Sequence, residues 1–285
     1  MDNLVICAGV EHSGSTSLWY TLRDNKIVHT GHFKQSKYLQ AYEKKDSTIR
    51  SFFNQKRKMP FQPNRMNADV GKWSQDELDD FFEEEFSIDR YIEYYKRVID
   101  KTGFPMAGDF SEYNAELSED ILYDLAIKLN NAFNVKVILL FRDPIIRWWH
   151  LSHCAAQKCE EWFFKQDLQD NCFYAEIYRK WRIHFPNIHI AITEDLFAGH
   201  TKELSDFLGY PIKNVHRCAF VPFKGKELPH YPELRCQWRS NARPLKYKEL
   251  TPELYKYAEE SFEWVYEDCH AEGIYPKYSS NAWYM

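Results

Sequence analysis

A glycine-framed loop near the start of the sequence has the residue types of a phosphate-binding loop. Residues 9–16 read Gly-Val-Glu-His-Ser-Gly-Ser-Thr and follow a short apolar segment. Glycines at this spacing let backbone N–H groups turn toward an oxyanion, and the N-terminus of a following helix adds partial positive charge. Nucleotide triphosphatases require Lys and then Ser or Thr after the second glycine, whereas Ser15 and Thr16 stand there in this sequence. The loop therefore predicts an oxyanion site and disfavours an ATPase or kinase. The alternative is a glycine turn whose hydroxyls cap the helix.

A second candidate anion ligand, Arg142, directly follows the apolar run of residues 135–141. An arginine at the carboxyl end of a parallel strand is well placed to hold a dianionic phosphate through two N–H groups. The alternative interpretation is a salt bridge from Arg142 to Asp143 or to a neighbouring acid.

Both segments resemble those of sulfotransferases that use 3′-phosphoadenylyl sulfate (PAPS). HSGSTSLWYTL is similar to the family's 5′-phosphosulfate loop, and VKVILLFRDPIIRWWHLSH is similar to its 3′-phosphate segment. The resemblance implies that Arg142 binds the 3′-phosphate and that His150 stands where the family has a serine. It also implies that His12 stands where the family has a positively charged Lys or Arg. The residues around the 5′-phosphate would be Ser13, Gly14, Ser15, Thr16 and Ser17.

Three weaker similarities follow in the family's order. GDFSEY resembles a strand end near the acceptor, and ITEDLFAGHTKELSDFLGYP resembles a late strand and helix that are usually structural. FKGKELP resembles the loop that closes over the nucleotide, which implies that Lys224, Gly225 and Lys226 bind it. The family often has Lys-Glu after its second strand, whereas this chain has Lys34 followed by Gln35.

Sulfuryl transfer needs a base for the acceptor proton and cations for the charge on the leaving phosphate. Because Gln35 cannot be a base, we predict Glu112 as the base, with His32 second and Asp109 as a further candidate. Lys34 is expected to steady the leaving phosphate or the sulfuryl group. The structural alternatives are a capping carboxylate, a strand-end imidazole and a solvated lysine. No His, Cys or Asp cluster has metal-site spacing, so no metal is expected.

The elements that must position these residues alternate between strand and helix. This alternation predicts a three-layer α/β fold with a central parallel sheet, in one domain over residues 1–285 with a lid or insertion at 40–102. The expected strands are residues 3–9, 27–31, 104–111, 135–141 and 188–193, with helices at 17–25, 118–129, 174–185 and from Thr251 to Gly273.

The amino-acid composition disfavours several classes of binding partner. With 37 Lys and Arg against 42 Asp and Glu, the formal charge is −5, which disfavours nucleic acid or a sulfated polysaccharide as the main partner. No apolar run approaches membrane-span length, and the start lacks a basic signal region, so we expect a cytoplasmic protein that does not bind membranes. The seven cysteines are interpreted as reduced thiols, with Cys218 and Cys236 the one pair to test for a bridge.

The sequence thus predicts a PAPS-dependent sulfotransferase that acts on a hydroxyl or amino group of a small molecule. A cationic acceptor such as a guanidinium compound is suggested by residues 76–89, where eight of fourteen residues are acidic and phenylalanines interrupt them. The alternative for that run is an amphipathic helix with its phenylalanines in the core. The alternatives for the function are a nucleotide or small-molecule kinase and a non-catalytic nucleotide-binding module.

Overall fold

A parallel five-stranded sheet forms the centre of the protein, in the strand order β2-β3-β1-β4-β5. The computed structural model describes residues 1–45, 81, 86–148, 173–215 and 252–275, and of residues 252–255 it describes the backbone alone. The strands are β1 (Asp2–Cys7), β2 (Val28–His29), β3 (Met106–Asp109), β4 (Phe133–Phe141) and β5 (Ile188–Ile192). Since β1 pairs in parallel with both β3 and β4, the first strand of the chain lies at the middle of the sheet.

Helices follow the strands along the chain. In the described ranges they are α1 (Ser15–Asp24), α2 (Tyr38–Lys44), α3 (Ile88–Thr102), α4 (Glu119–Ala132), α5 (Tyr174–His184), α6 (Thr193–Ala198), α7 (Lys202–Leu208) and α8 (Pro252–Ala271). A 3₁₀ helix covers Glu112–Glu116, and residues 144–148 are helical. The predicted α/β alternation is confirmed, and the strand boundaries agree to within a few residues.

The two faces of β1 belong to two separate hydrophobic clusters, because successive strand residues point to opposite sides of a sheet. Leu4 and Ile6 pack with apolar residues of α3, α4, α5 and α8. Val5 and Cys7 pack with residues of α1, α6 and α7. Helices therefore cover both faces, which confirms the three-layer prediction. Cys7 and Cys269 are buried and form no disulfide within the described part of the chain, whereas Cys218 and Cys236 lie outside it.

The region predicted to be a lid contains a regular part of the fold. Helix α3 connects β2 to β3 and therefore belongs to the strand and helix alternation. The Ser87 hydroxyl caps its start by accepting from Arg90 N at 3.2 Å. Phe81 is buried between the stacked rings of Tyr38 and Tyr94, as the core alternative for the acidic run requires. Residues 46–80 and 82–85, including the acidic side chains of Glu83, Glu84 and Glu85, lie outside the described residues, so a lid there stays a prediction.

In the described part of the chain, no helix has the length and apolar character needed to cross a bilayer.

Gly31, just after β2, offers a sharp test of this packing. Its φ is 70°, and a Cβ there would collide with the Tyr94 hydroxyl and approach Val98 Cγ2 to 2.8 Å. That hydroxyl also accepts a hydrogen bond from His32 N at 2.8 Å. We expect Gly31→Ala to lower the free energy of unfolding by about 3 kcal/mol or more, measured by urea denaturation.

Gly103→Ala is the matched control, because Gly103 has a similar φ of 66° and nothing within 4 Å of the added Cβ. It should cost about 1 kcal/mol through backbone strain alone. An equal loss of unfolding free energy in the two variants would show that the clash with Tyr94 adds nothing to the cost of the backbone strain.

Candidate active site

The predicted site residues lie where the carboxyl ends of neighbouring strands meet. Loops leave β1 at Ala8, β3 at Phe110 and β4 at Arg142, and these three strands are adjacent in the sheet. In open parallel sheets, ligands bind in the crevice outside the carboxyl ends, at the strand where the connections diverge. Strand β1 occupies that position, because later strands are added on both of its sides.

The loop after β1 is bent by two residues with left-handed backbone. Gly14 has a φ of 88° and stands at the N-cap of α1, where no side chain caps the first N–H groups of the helix. His12 has a φ of 63°, a conformation that costs a residue with a Cβ about 1–2 kcal/mol. Ser13 is buried, and its hydroxyl has no hydrogen-bond partner among the described residues. Strain and an unsatisfied buried hydroxyl are typical of a binding site.

Two arginines hold this loop through its carbonyl groups. Arg142 Nη1 donates to His12 O at 3.3 Å, and Arg147 Nε donates to Glu11 O at 2.7 Å. Both arginines follow β4, so the loop after β1 is tied to the neighbouring strand. Arg147 is only 2% exposed and was missed in the sequence, where its one signal is its place five residues after Arg142.

Lys34 brings an ammonium group to the start of α1. Its Nζ donates to Ser15 Oγ at 3.0 Å and to Thr16 Oγ1 at 2.8 Å, and the residue is buried. The cation that the loop lacks in sequence is therefore supplied in space by a residue after β2. A buried ammonium beside a helix N-terminus concentrates positive charge, and such a concentration favours a bound anion.

Arg142 also faces a buried acid, Glu194, at the start of α6. Arg142 Nε lies 3.4 Å from Glu194 Oε1, and Glu194 Oε2 accepts from Asp143 N at 3.2 Å. The salt bridge to a neighbouring acid considered for Arg142 is thus present. Burial raises the pKa of Glu194 to about 7, although the Arg142 charge opposes this rise.

Asp143 has a structural role. Its Oδ1 accepts from the backbone N–H groups of Ile145 and Ile146 at 3.0 Å each, so it caps the helical residues 144–148. Pro144 then stands at the first helical position, where its missing N–H is tolerated. The Arg-Asp-Pro motif consequently fixes the turn that presents Arg142.

Asp109, at the end of β3, is fully buried within a polar network. Its carboxylate accepts from the hydroxyls of Tyr91 at 3.0 Å and Ser111 at 2.6 Å, from Ser111 N at 3.0 Å and from Ser36 Oγ at 3.3 Å. Burial raises its pKa, and these hydrogen bonds oppose the rise. This geometry favours Asp109 as an organiser of the strand end over Asp109 as a base, because its oxygens already accept from protein donors.

The other candidate acid and base groups lie around the same strand ends. Glu112 opens the 3₁₀ helix after β3 and is only partly buried. Burial lowers the pKa of His12, and the Glu112 charge opposes that shift, so the two groups are electrostatic neighbours across the crevice. Burial lowers the pKa of His32 to about 4, so its imidazole is neutral at pH 7.

Four predicted residues, His150, Lys224, Gly225 and Lys226, lie outside the described residues. Within the described ranges, no group of three His, Cys, Asp or Glu residues could hold a metal ion.

Comparison with known proteins gives similarity at the level of structure. No family model matches the chain, and no curated protein matches it. A sulfotransferase from Alicyclobacillus acidocaldarius has a TM-score of 0.49 at 14% identity, over 100% of this chain and 99% of its own. The sulfotransferase domain of the Synechococcus PCC 7002 olefin synthase has a TM-score of 0.41 at 16% identity, over 91% and 94%. The sulfotransferase domain from the curacin biosynthetic pathway has a TM-score of 0.47 at 15% identity, over 92% and 98%.

All three are sulfotransferases. At these identities, the function of this chain has to be argued from its own contacts.

Proposed function

We propose that the protein is a sulfotransferase that moves a sulfuryl group from PAPS to a hydroxyl or amino group of a small molecule. The observation that carries this proposal is the Lys34 ammonium beside the hydroxyls of Ser15 and Thr16, at the start of α1. A lysine, two hydroxyls and helix N–H groups at one point form a site for a phosphosulfate anion.

The loop after β1 would hold the 5′ end of the donor. A phosphosulfate supplies the sulfuryl group, whose bond to the phosphate oxygen breaks as a bond to the acceptor oxygen or nitrogen forms. Lys34 and the N-terminus of α1 stabilise the charge left on the phosphate. His12 is placed at the same loop, where an anionic neighbour would favour its protonated form. Ser13, Gly14 and Ser17 complete the proposed cradle.

The end of β4 would hold the 3′-phosphate. Arg142 uses Nε and Nη1 for contacts within the protein, and a guanidinium has five N–H donors in total. Donors therefore remain for a phosphate. In this proposal His150 and the segment with Lys224, Gly225 and Lys226 add contacts to the nucleotide.

We assign to Glu112 the role of the base that takes the proton from the acceptor. Glu112 is partly buried at the carboxyl end of β3 and interacts electrostatically with His12 of the loop. His32 is the second candidate: it is neutral at pH 7 and can accept a proton, but its low pKa makes it a weak base. Asp109 is assigned a positioning role through Ser111 and Ser36.

One contact favours this function over a magnesium-dependent kinase. In nucleotide triphosphatases, the Ser or Thr at the end of the loop holds Mg²⁺. Here Ser15 and Thr16 accept from the Lys34 ammonium, whose charge would repel a divalent cation at the same point.

We further propose a small cationic acceptor, in keeping with the sequence-based expectation. Burial raises the pKa of Tyr113 to about 12, and the charges of Glu11, Glu112 and Glu116 add to this rise, so acidic groups gather around this ring. The Tyr113 ring already faces one cation, because Lys37 Nζ lies 4.1 Å from its centroid. Partners of nucleic-acid or membrane type are not expected, and a cytoplasmic location stays a prediction.

The donor site is tested by titrating the protein with 3′-phosphoadenosine 5′-phosphate (PAP), adenosine 5′-phosphate and Mg²⁺-ATP in a calorimeter. We expect PAP to bind tightest, and Arg142→Ala to weaken PAP about tenfold or more while changing adenosine 5′-phosphate much less. The variant Arg23→Ala, at the far end of α1, controls for the loss of an arginine.

The three candidate functions give different results in this titration. Tight Mg²⁺-ATP binding without PAP binding would indicate a kinase. PAP binding without PAP production from PAPS and cell extract would indicate a non-catalytic module. An equal loss of affinity for PAP and for adenosine 5′-phosphate in Arg142→Ala would show that Arg142 has a structural role.

Lys34→Met should lower kcat about a hundredfold and weaken PAP binding far less, because the charge on the leaving phosphate develops in the transition state. Lys128→Met is the control, since Lys128 lies on α4 and pairs with Asp89 rather than with the loop after β1. A kcat within about twofold of wild type would contradict the assignment of Lys34.

The acceptor class is tested with hydroxylated amines, guanidinium compounds, phenols, sugars and heparan-type oligosaccharides, scored by PAP release. We expect cations to be preferred, and Glu116→Gln to raise KM for cations severalfold through loss of an ion pair, without raising KM for phenols. Preferred turnover of the oligosaccharides would refute a cationic acceptor.

A further inference from the structure

We infer that two adjacent residues at the carboxyl end of β5, Thr193 and Glu194, set the relative positions of the two phosphate-binding sites. This inference rests on the proposed function. Thr193 contacts the loop after β1, and Glu194 contacts the arginine after β4. We call the pair the β5 clamp.

Thr193 fixes the loop proposed for the 5′-phosphate. Its buried hydroxyl lies within hydrogen-bonding reach of Ser13 O and of Phe141 O, the latter at 3.0 Å. Its methyl group packs against Gly14, where a Cβ would lie 3.0 Å from Thr193 Cγ2. The side chain therefore connects the loop after β1 to the last residue of β4.

Glu194 fixes the arginine proposed for the 3′-phosphate. Its Oε1 faces Arg142 Nε at 3.4 Å, and its Oε2 accepts from Asp143 N at 3.2 Å. The first contact is an ion pair that keeps the guanidinium beside the acid without an aligned hydrogen bond, and the second holds the turn that carries Arg142. Glu194 faces Nε, whereas Nη1 donates to His12 O.

A contribution to folding stability does not by itself explain why a carboxylate is buried at position 194. A buried ion pair is weak support for stability, because the cost of removing both charges from water offsets their attraction. Burial raises the pKa of Glu194 even with Arg142 beside it, which is the direction that this cost predicts. In this inference, the role of the buried Glu194 carboxylate is to position Arg142.

The clamp also explains why the two sites are coupled in space. Thr193 and Glu194 are joined by one peptide bond, which has fixed geometry. The loop and the arginine are 130 residues apart in sequence, and each of them contacts one member of the pair. A shift of α6 would consequently move both sites together.

The test compares PAP with adenosine 5′-phosphate, which lacks the 3′-phosphate, in calorimetric titrations of three variants. Glu194→Gln should weaken PAP about tenfold and adenosine 5′-phosphate less than about twofold. Thr193→Val should weaken both nucleotides by the same factor, about fivefold, because both carry the 5′-phosphate. Asp195→Asn, the control, removes a neighbouring carboxylate that pairs with His200 and should change neither.

A purely structural role gives a different pattern. Glu194→Gln would then lower the melting temperature and leave the ratio of the two dissociation constants at its wild-type value, which would overturn the inference. If Glu194→Gln does not fold, Glu194→Asp keeps the charge on a shorter side chain. The dissociation constant of adenosine 5′-phosphate divided by that of PAP should then fall below its wild-type value.

Failure of the proposed function would be visible separately. Wild-type protein would then either not bind PAP, or bind PAP without producing it from PAPS. If instead wild type binds PAP and Arg142→Ala removes the advantage of PAP over adenosine 5′-phosphate while Glu194→Gln retains it, only the β5 clamp is refuted.

Discussion

The concentration of positive charge at the carboxyl end of the central strand is the constraint on which the rest of the site depends. The Lys34 ammonium, the N-terminus of α1, Arg142 and Arg147 all meet the loop after β1. Like charges brought together out of water repel each other unless acids or anions compensate them. Glu194 compensates part of this charge, and the remainder is suited to a phosphate or sulfate group. The strained loop is held in place by the same cations.

Much of the fold followed from local sequence patterns. Apolar runs rich in branched residues marked the strands, and helical spacing marked α4, because a parallel sheet buries its strands on both faces. The loop glycines and Arg142 were singled out because they follow apolar strand segments, whereas Lys34 was singled out from its place in the motif of the family that the sequence resembles. The Arg-Asp-Pro motif predicted the position of Arg142 after β4, whereas the helix cap formed by Asp143 became visible only in the structure.

The contacts that the sequence did not reveal join residues that are distant in the chain. Thr193 and Glu194 were assigned to a segment considered structural, since nothing near them shows that they face Ser13 and Arg142. Asp109 was a candidate base because it ends a strand, but two of its hydroxyl partners, Tyr91 and Ser36, come from distant parts of the chain. Helix α3 was included in the lid because the acidic run before it hides its amphipathic pattern. Tertiary packing decided each of these cases.

The C-terminal helix has a consequence for the time at which the site is completed. Tyr266 of α8 donates to Asp143 Oδ2 at 3.1 Å, on the same carboxylate that caps the helical residues 144–148. During synthesis, β1, β3 and β4 leave the ribosome long before residue 266 does. A nascent chain can therefore form these strands before Tyr266 is available, and the turn that presents Arg142 gains this support only after residue 266 has been translated. The order of translation thus separates formation of the sheet from completion of that turn.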